Sequence, residues 1–200
     1  MIRQVDRSAA TIADILSAAR KLFAGGGFDG TSIDDIAARA GVAKGAVYHH
    51  FDSKEEIFTR ALEDVQAEIA ALPVPAATRA MTDPLDQIAA ETLRYLLAAT
   101  EPSRKRILLI DGPAVIGWKK WREIDDRFFG AGARAAMTQV LGANASAREI
   151  DAVTHLVMGA VMEACLVCAS APDAKKAARD LSAGLRRMLE GLRASASPSH

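Results

Sequence analysis

Alternating runs of β-branched residues are missing from this 200-residue chain, which leaves no strand meander and argues against a sheet-based fold. Cysteine is nearly missing too. The two present, Cys165 and Cys168, sit in an apolar helical run and not in a spaced framework, so a secreted disulfide scaffold is excluded. They form a C-x-x-C, but deep inside a helix they lack the N-terminal position that lowers a thiol pKa, and no second pair completes a zinc site. They read as buried structural thiols, with no metal or other cofactor implied. Aromatics are sparse, at 5%. Net charge is zero, and residues 1–60 are also neutral, with eight Lys or Arg against eight Asp or Glu. That excludes a general polyanion sponge. The first residues carry no apolar signal core. The longest apolar stretch, Leu156 to Ala171, is interrupted by Glu163 and falls short of the roughly 20 residues that span a bilayer. A cytoplasmic protein with no membrane partner is the expectation.

What is present suits helices. Half the residues are apolar, and alanine is abundant, so helices can pack closely through small side chains. Residues 1–8 read as a polar arm. The first helix runs over 9–24 with Ile12, Ile15, Leu16, Ala19, Leu22 and Phe23 on one stripe, and stops at Gly25-Gly26-Gly27, with Phe28 tucked under the turn. A capping box at Ser53-Lys54-Glu55-Glu56 opens the fourth helix, which Pro73-Val74-Pro75 ends. Asp83-Pro84 starts the fifth. A sixth covers 103–110, Asp111-Gly112-Pro113 breaks the chain, and a seventh covers 116–141, bent near Gly130 and Gly132. The eighth (147–170) and ninth (174–193) precede a disordered tail, 194–200.

Residues 31–51 carry the chemistry. Thr31 reads as the N-cap of a short helix, with its hydroxyl on the Asp34 N–H. Ala37 lets two helices cross closely, Gly41 turns the chain without a Cβ penalty, and Val47 plugs the next helix into the core. Between Ala37 and Phe51 lie Arg39, Lys44, His49 and His50 and no carboxylate, so the basic character is local. This is the layout of a helix-turn-helix, in which the second helix enters the major groove. Lys44 can reach a phosphate or a guanine edge, Gly45 lets backbone approach DNA, and Tyr48 and His49 can donate to phosphates. Thr31 or Ser32 can bind a phosphate at the helix N-terminus, and Lys54 can clamp the flanking backbone. Phe51 reads as core.

Phe23, Gly27-Phe28, Thr31-Ser32-Ile33, Ile36-Ala37, Ala40-Gly41-Val42, Lys44-Gly45, Val47-Tyr48, His50-Phe51 and Ser53-Lys54-Glu55 together resemble the N-terminal domain of the TetR family of transcriptional regulators. The resemblance covers residues 9–60. It implies an all-α, nine-helix fold: a three-helix helix-turn-helix domain over 1–60 and a helical ligand-binding and dimerisation domain over 61–200. It also implies a homodimeric repressor, not an enzyme, that leaves a palindromic operator when a small ligand binds. Ala43 departs from the pattern, standing where the family often has Ser or Thr; a cap worth about 1 kcal/mol and a polar contact are lost there.

The eighth helix is apolar nearly all round, through Ile150, Val153, Leu156, Val157, Val161, Leu166 and Val167, and so needs burial on more than one side. The ninth presents Leu181, Leu185, Met188, Leu189 and Leu192. The resemblance places both in the dimer interface, whose two-fold axis fits half-sites about 34 Å apart. For the ligand, Asp111, Trp118, Trp121, Arg122 and Phe128 supply candidate apolar walls and polar anchors, with Tyr95, His155 and Glu163 as further candidates; taken singly each aromatic reads first as packed core, and Glu163 could pair across the dimer. Ligand binding would shift the fifth, sixth or seventh helix against the fourth and change the spacing of the recognition helices. Two alternatives stand beside this: a helix-turn-helix regulator with no ligand, and an enzyme using His155, Glu163 and a cysteine, whose order matches no nucleophile turn, phosphate loop or metal spacing.

Overall fold

The three- and four-residue apolar spacings are realised as helix throughout. The computed structural model describes residues 2–196, and the side chains of residues 8–193. Among these residues lie ten helices: α1 (Ile2–Gly26), α2 (Ile33–Ala40), α3 (Lys44–His50), α4 (Lys54–Ala71), the single turn α5 (Ala76–Arg79), α6 (Pro84–Ala99), α7 (102–116), α8 (118–141), α9 (Ala147–Ser170) and α10 (Ala174–Ala196). The one-turn α5 is the helix beyond the nine expected. Helix α1 starts at Ile2, so residues 2–8 are not the expected polar arm; they contain no Gly or Pro to stop the helix earlier. Of the expected tail, 194–196 extend α10, and 197–200 lie outside the described residues.

The chain divides into two units, 1–68 with 101–124, and 69–100 with 125–200. The first is built on α1–α4, α7 and the start of α8. Ile15, Ala19, Phe23, Ile36, Val47, Phe51, Phe58, Leu62, Ile107 and Trp121 are buried in it. Phe58 meets Phe23 and Phe28 edge-on, with ring centroids 5.1 and 5.3 Å away. Arg20 pairs with Glu68, which also faces Arg104 at 3.6 Å.

Asp111-Gly112-Pro113 does not break the chain as expected. A π-helical stretch, Arg106–Asp111, widens α7 as far as the first residue of the triplet, and the α-helix resumes at Gly112 with Pro113 in its first turn, where a missing N–H costs least. The break comes at Gly117, whose φ of 79° suits glycine. Gly112 is required for a different reason: a Cβ there would stand 2.8 Å from both the Ile107 carbonyl oxygen and Leu62 Cδ1. The irregularity anticipated in α8 is a second π-helical stretch, Asp126–Gly130.

The second unit packs α6, α9, α10 and the rest of α8 around Leu85, Met137, Val140, Leu141, Ile150, Leu185 and Leu189. Asp83 caps α6 by accepting from the Leu85 N–H (3.0 Å), and Arg193 and Arg186 of α10 pair with Asp83 and Asp86. Helix α9, at 24 residues and a mean hydropathy of 1.8 over its most apolar window, is long and apolar enough to cross a membrane. Here Ile150, Thr154, Met158, Met162, Cys165 and Cys168 form its buried face. Burial pushes both thiols up, which makes thiolate chemistry unfavourable.

Candidate nucleic-acid interface

Helix α2 begins one residue later than expected, and the cap is Ser32, not Thr31. The Ser32 hydroxyl accepts from the Asp35 N–H (3.1 Å), while Asp35 accepts from the Ser32 N–H (3.0 Å), a complete capping box. The Ser32 hydroxyl also donates to the Asp35 carboxylate (2.6 Å), and this bond first, with the one from the Ser32 N–H, holds the Asp35 carboxyl below its ordinary range. Thr31 is 3% exposed, and its hydroxyl donates to the Gly27 carbonyl (2.8 Å). Of the two residues expected at a phosphate, Ser32 alone is exposed. The adjacent hydroxyls look alike in sequence; burial of one decides the register.

Gly41 closes α2 at φ 69°; its N–H donates to the Ala38 carbonyl, and the Val42 N–H donates to the Ala37 carbonyl. Ala43 opens α3 with no side-chain cap. Val47 is fully buried and fixes the inner face of α3. Its outer face presents Lys44, Gly45, Tyr48 and His49, all exposed, with Tyr48 at 52%. A Cβ on Gly45 would meet nothing within 4 Å, so no internal contact calls for glycine there. The Lys44 ammonium lies 2.9 Å from Asp34 of α2, and that hydrogen bond raises its pKa further.

Lys54 is placed differently from its expected role as a phosphate clamp. Its ammonium donates to the Phe28 carbonyl (2.8 Å) and the Thr31 carbonyl (3.0 Å), 4.0 Å above the Phe28 ring. Two of its three donors are thus spent on the loop that precedes α2. Asp111, expected in a ligand cavity, holds the same loop: its carboxylate accepts from the Phe28 N–H (2.9 Å) and pairs with Arg106 (3.5 Å). The Arg106 guanidinium lies where a Cβ on Gly27 would stand, 2.5 Å away. Sequence reading missed this brace, because 83 residues separate Phe28 from Asp111 and no periodicity links them.

The remaining ligand candidates separate. In the first unit, Trp118 and Trp121 stack with centroids 5.3 Å apart and planes 9° apart, and Arg122 lies 5.1 Å from the Trp118 ring. Trp121 is buried and donates its indole N–H to the Leu108 carbonyl, while Trp118 is 52% exposed. In the second unit, Tyr95 meets Phe129 edge-on (5.0 Å), its hydroxyl is 3.5 Å from the buried Asp125, and Phe128 is half-buried beside Phe129. Asp125 was not singled out in the sequence, where it is one acid in a charged run. His155 and Glu163 are both exposed on α9, Glu163 opposite the buried Thr154, Met158 and Cys165, and His155 at the edge of that buried face.

An all-helical chain with a capped α2, a glycine turn and a short, solvent-facing α3 is a helix-turn-helix protein. Two family descriptions match it: "Bacterial regulatory proteins, tetR family" over residues 15–61, and "Tetracyclin repressor-like, C-terminal domain" over residues 85–192. The chain belongs to the TetR family, whose members are transcriptional regulators and not enzymes. It is 34% identical over 97 residues to the HTH-type transcriptional regulator AcrR of Shigella flexneri, a stretch of 48% of this chain and 45% of AcrR. Over 50 residues it is 40% identical to the biofilm operon icaADBC HTH-type negative transcriptional regulator IcaR of Staphylococcus epidermidis, covering 25% of this chain and 27% of IcaR. The similarity thus spans less than half the length of either curated relative. The crystal structure of a TetR-family transcriptional regulator from Pectobacterium atrosepticum matches at a TM-score of 0.69 and 29% identity, over 94% of this chain and 96% of that one.

Proposed function

We propose that this protein is a homodimeric transcriptional repressor that binds a palindromic DNA duplex through α3 and is released by a small-molecule effector. The observation that carries the reading is the two-faced α3: Val47 locked in the core, with Lys44, Gly45, Tyr48 and His49 turned to solvent. Phosphate and base-edge readers need this mixture on a rigid support. Repression is supported by the likeness to IcaR, a negative regulator. Dimerisation through α9 and α10 is supported by exposed Leu156, Leu166, Val167, Met188 and Leu192, apolar side chains that a second copy would cover. Glu163 and His155 then lie at that surface, not in a cavity. The work is done in the cytoplasm, where the DNA is.

For the effector, two groups of candidates remain: the Trp118–Trp121 stack beside Arg122, and the Tyr95, Phe128, Phe129 and Asp125 group. Effector control reaches the recognition helix through α7, because Asp111 and Arg106 hold the loop that leads into α2. A ligand-independent regulator is the second reading; it is favoured by Asp111, His155 and Glu163 all being placed outside a shared lining.

Selection of bound duplexes from a randomised pool by the purified protein tests the first part. Enrichment of one palindrome is expected, and enrichment of none contradicts it. Tryptophan fluorescence during titration with planar aromatic compounds tests the second. Saturable quenching coupled to loss of the selected duplex supports an effector; duplex affinity unchanged by every compound that binds favours the ligand-independent reading.

A further inference from the structure

Asp34 is the acid that the basic face of α3 does not escape. It sits in the first turn of α2 but takes no part in the capping box, which Asp35 completes. Instead it crosses to α3 and holds the Lys44 ammonium at 2.9 Å. Both side chains are more than half exposed, at 53% for Lys44 and 66% for Asp34. An ion pair so open to water contributes little to holding a fold together. Its position is therefore better explained by what it does at the surface.

Two consequences follow from charge and geometry. A carboxylate beside Lys44 cancels much of the attraction that this lysine would exert on any phosphate, and sequence-independent affinity rests on that attraction. The same carboxylate engages one N–H of the ammonium and draws it toward α2, with two N–H donors left for a base edge, where guanine O6 and N7 accept. The free oxygen of Asp34 is itself an acceptor of the kind that reads a cytosine amino group. We infer that Asp34 is a specificity-determining residue of the DNA interface, which restrains Lys44 from indiscriminate phosphate binding and aims it at bases. The inference rests on the DNA-binding reading above. The neutral charge of residues 1–60 agrees with it, since a head with no basic excess must gain its affinity from a few directed contacts.

The test uses full-length wild type, Asp34→Asn and the double variant Asp34→Asn/Lys44→Gln. Each is titrated against the duplex that wild type selects from a randomised pool and against a scrambled duplex of equal length, across a range of KCl. Asp34→Asn keeps the shape and removes the charge. It is expected to bind the scrambled duplex about tenfold more tightly and to lower the selected-to-scrambled ratio at least tenfold. The slope of log K against log salt is expected to steepen by about one per protomer, as a freed lysine takes up a phosphate. The double variant is expected to lose that extra slope while keeping the reduced ratio. If Asp34→Asn preserves the ratio and the slope, or weakens both duplexes in parallel, Asp34 sets no specificity, although the DNA-binding reading stands. If wild type selects no duplex, the DNA-binding reading itself falls, and this inference with it.

Discussion

The outer face of α3 and the outer face of the α9–α10 pair are both open to solvent, yet they are built from opposite materials. The first shows Lys44, Tyr48 and His49 around a bare Gly45; the second shows Leu156 at 71% exposure and Met188 at 64%, with Leu166, Val167 and Leu192. A polar face on a short helix suits a hydrated, charged polymer. A long apolar face suits a copy of itself, because water offers it nothing and an isologous contact covers both patches at once. If the two faces bind DNA and a second copy as proposed, their energetics barely overlap: salt should govern one and leave the other nearly untouched.

The largest effect is expected from charging the apolar face. Leu156→Glu combined with Val167→Glu should convert a dimer to a monomer by light scattering. Affinity for the selected duplex should fall about 10²- to 10⁴-fold, the gain that linked half-sites provide. Removing an aromatic from the core of the first unit comes next. Phe58 is fully buried between Phe23 and Phe28, and Phe58→Ala should cost about 3–5 kcal/mol in urea unfolding. Lys54→Met should lower stability by about 1 kcal/mol by freeing the loop that leads to α2. It should leave the salt slope of duplex binding unchanged, which a phosphate-clamping lysine would not. Gly45→Ala should act in opposite directions: about 0.5–1 kcal/mol more stable, since a Cβ meets nothing within 4 Å, but weaker on DNA, where backbone must approach closely.

The smallest effect concerns pH. The Asp35 carboxyl is held below its ordinary range by Ser32. A group depressed on folding contributes stability that is present above its unfolded pKa, near 4, and is lost as pH falls through the lower folded value. Thermal melts of wild type and Asp35→Asn should therefore differ at neutral pH and converge as the solution is acidified below about pH 4. A difference that persists in acid would assign the capping box to something other than the charge.

What could be read in advance was what is local. The stripe of α1, the glycine turn at Gly41, the plug at Val47 and the Asp83-Pro84 start of α6 each depend on residues within a few positions of one another. What escaped depends on distant partners. Thr31 and Ser32 are interchangeable until Gly27 takes the Thr31 hydroxyl. Lys54 looks like a surface cation until the Phe28 ring and two carbonyls surround it. Asp111-Gly112-Pro113 reads as a break until a π-turn makes room for the proline, and the carboxylate of that triplet then turns out to hold a loop 83 residues earlier. His155 and Glu163 read as candidate lining, with a cross-dimer pairing open to Glu163; both are exposed on α9, whose buried face is formed by other residues.

The most direct measurement is fluorescence anisotropy of the selected duplex with wild type and Lys44→Ala over a series of salt concentrations. Binding through α3 predicts that log K falls linearly with log salt for wild type. It predicts also that Lys44→Ala weakens the selected duplex by roughly tenfold or more while the protein remains folded and dimeric. Duplex affinity that ignores salt, or that survives the loss of Lys44 unchanged, would contradict the assignment of α3 as the surface that holds DNA.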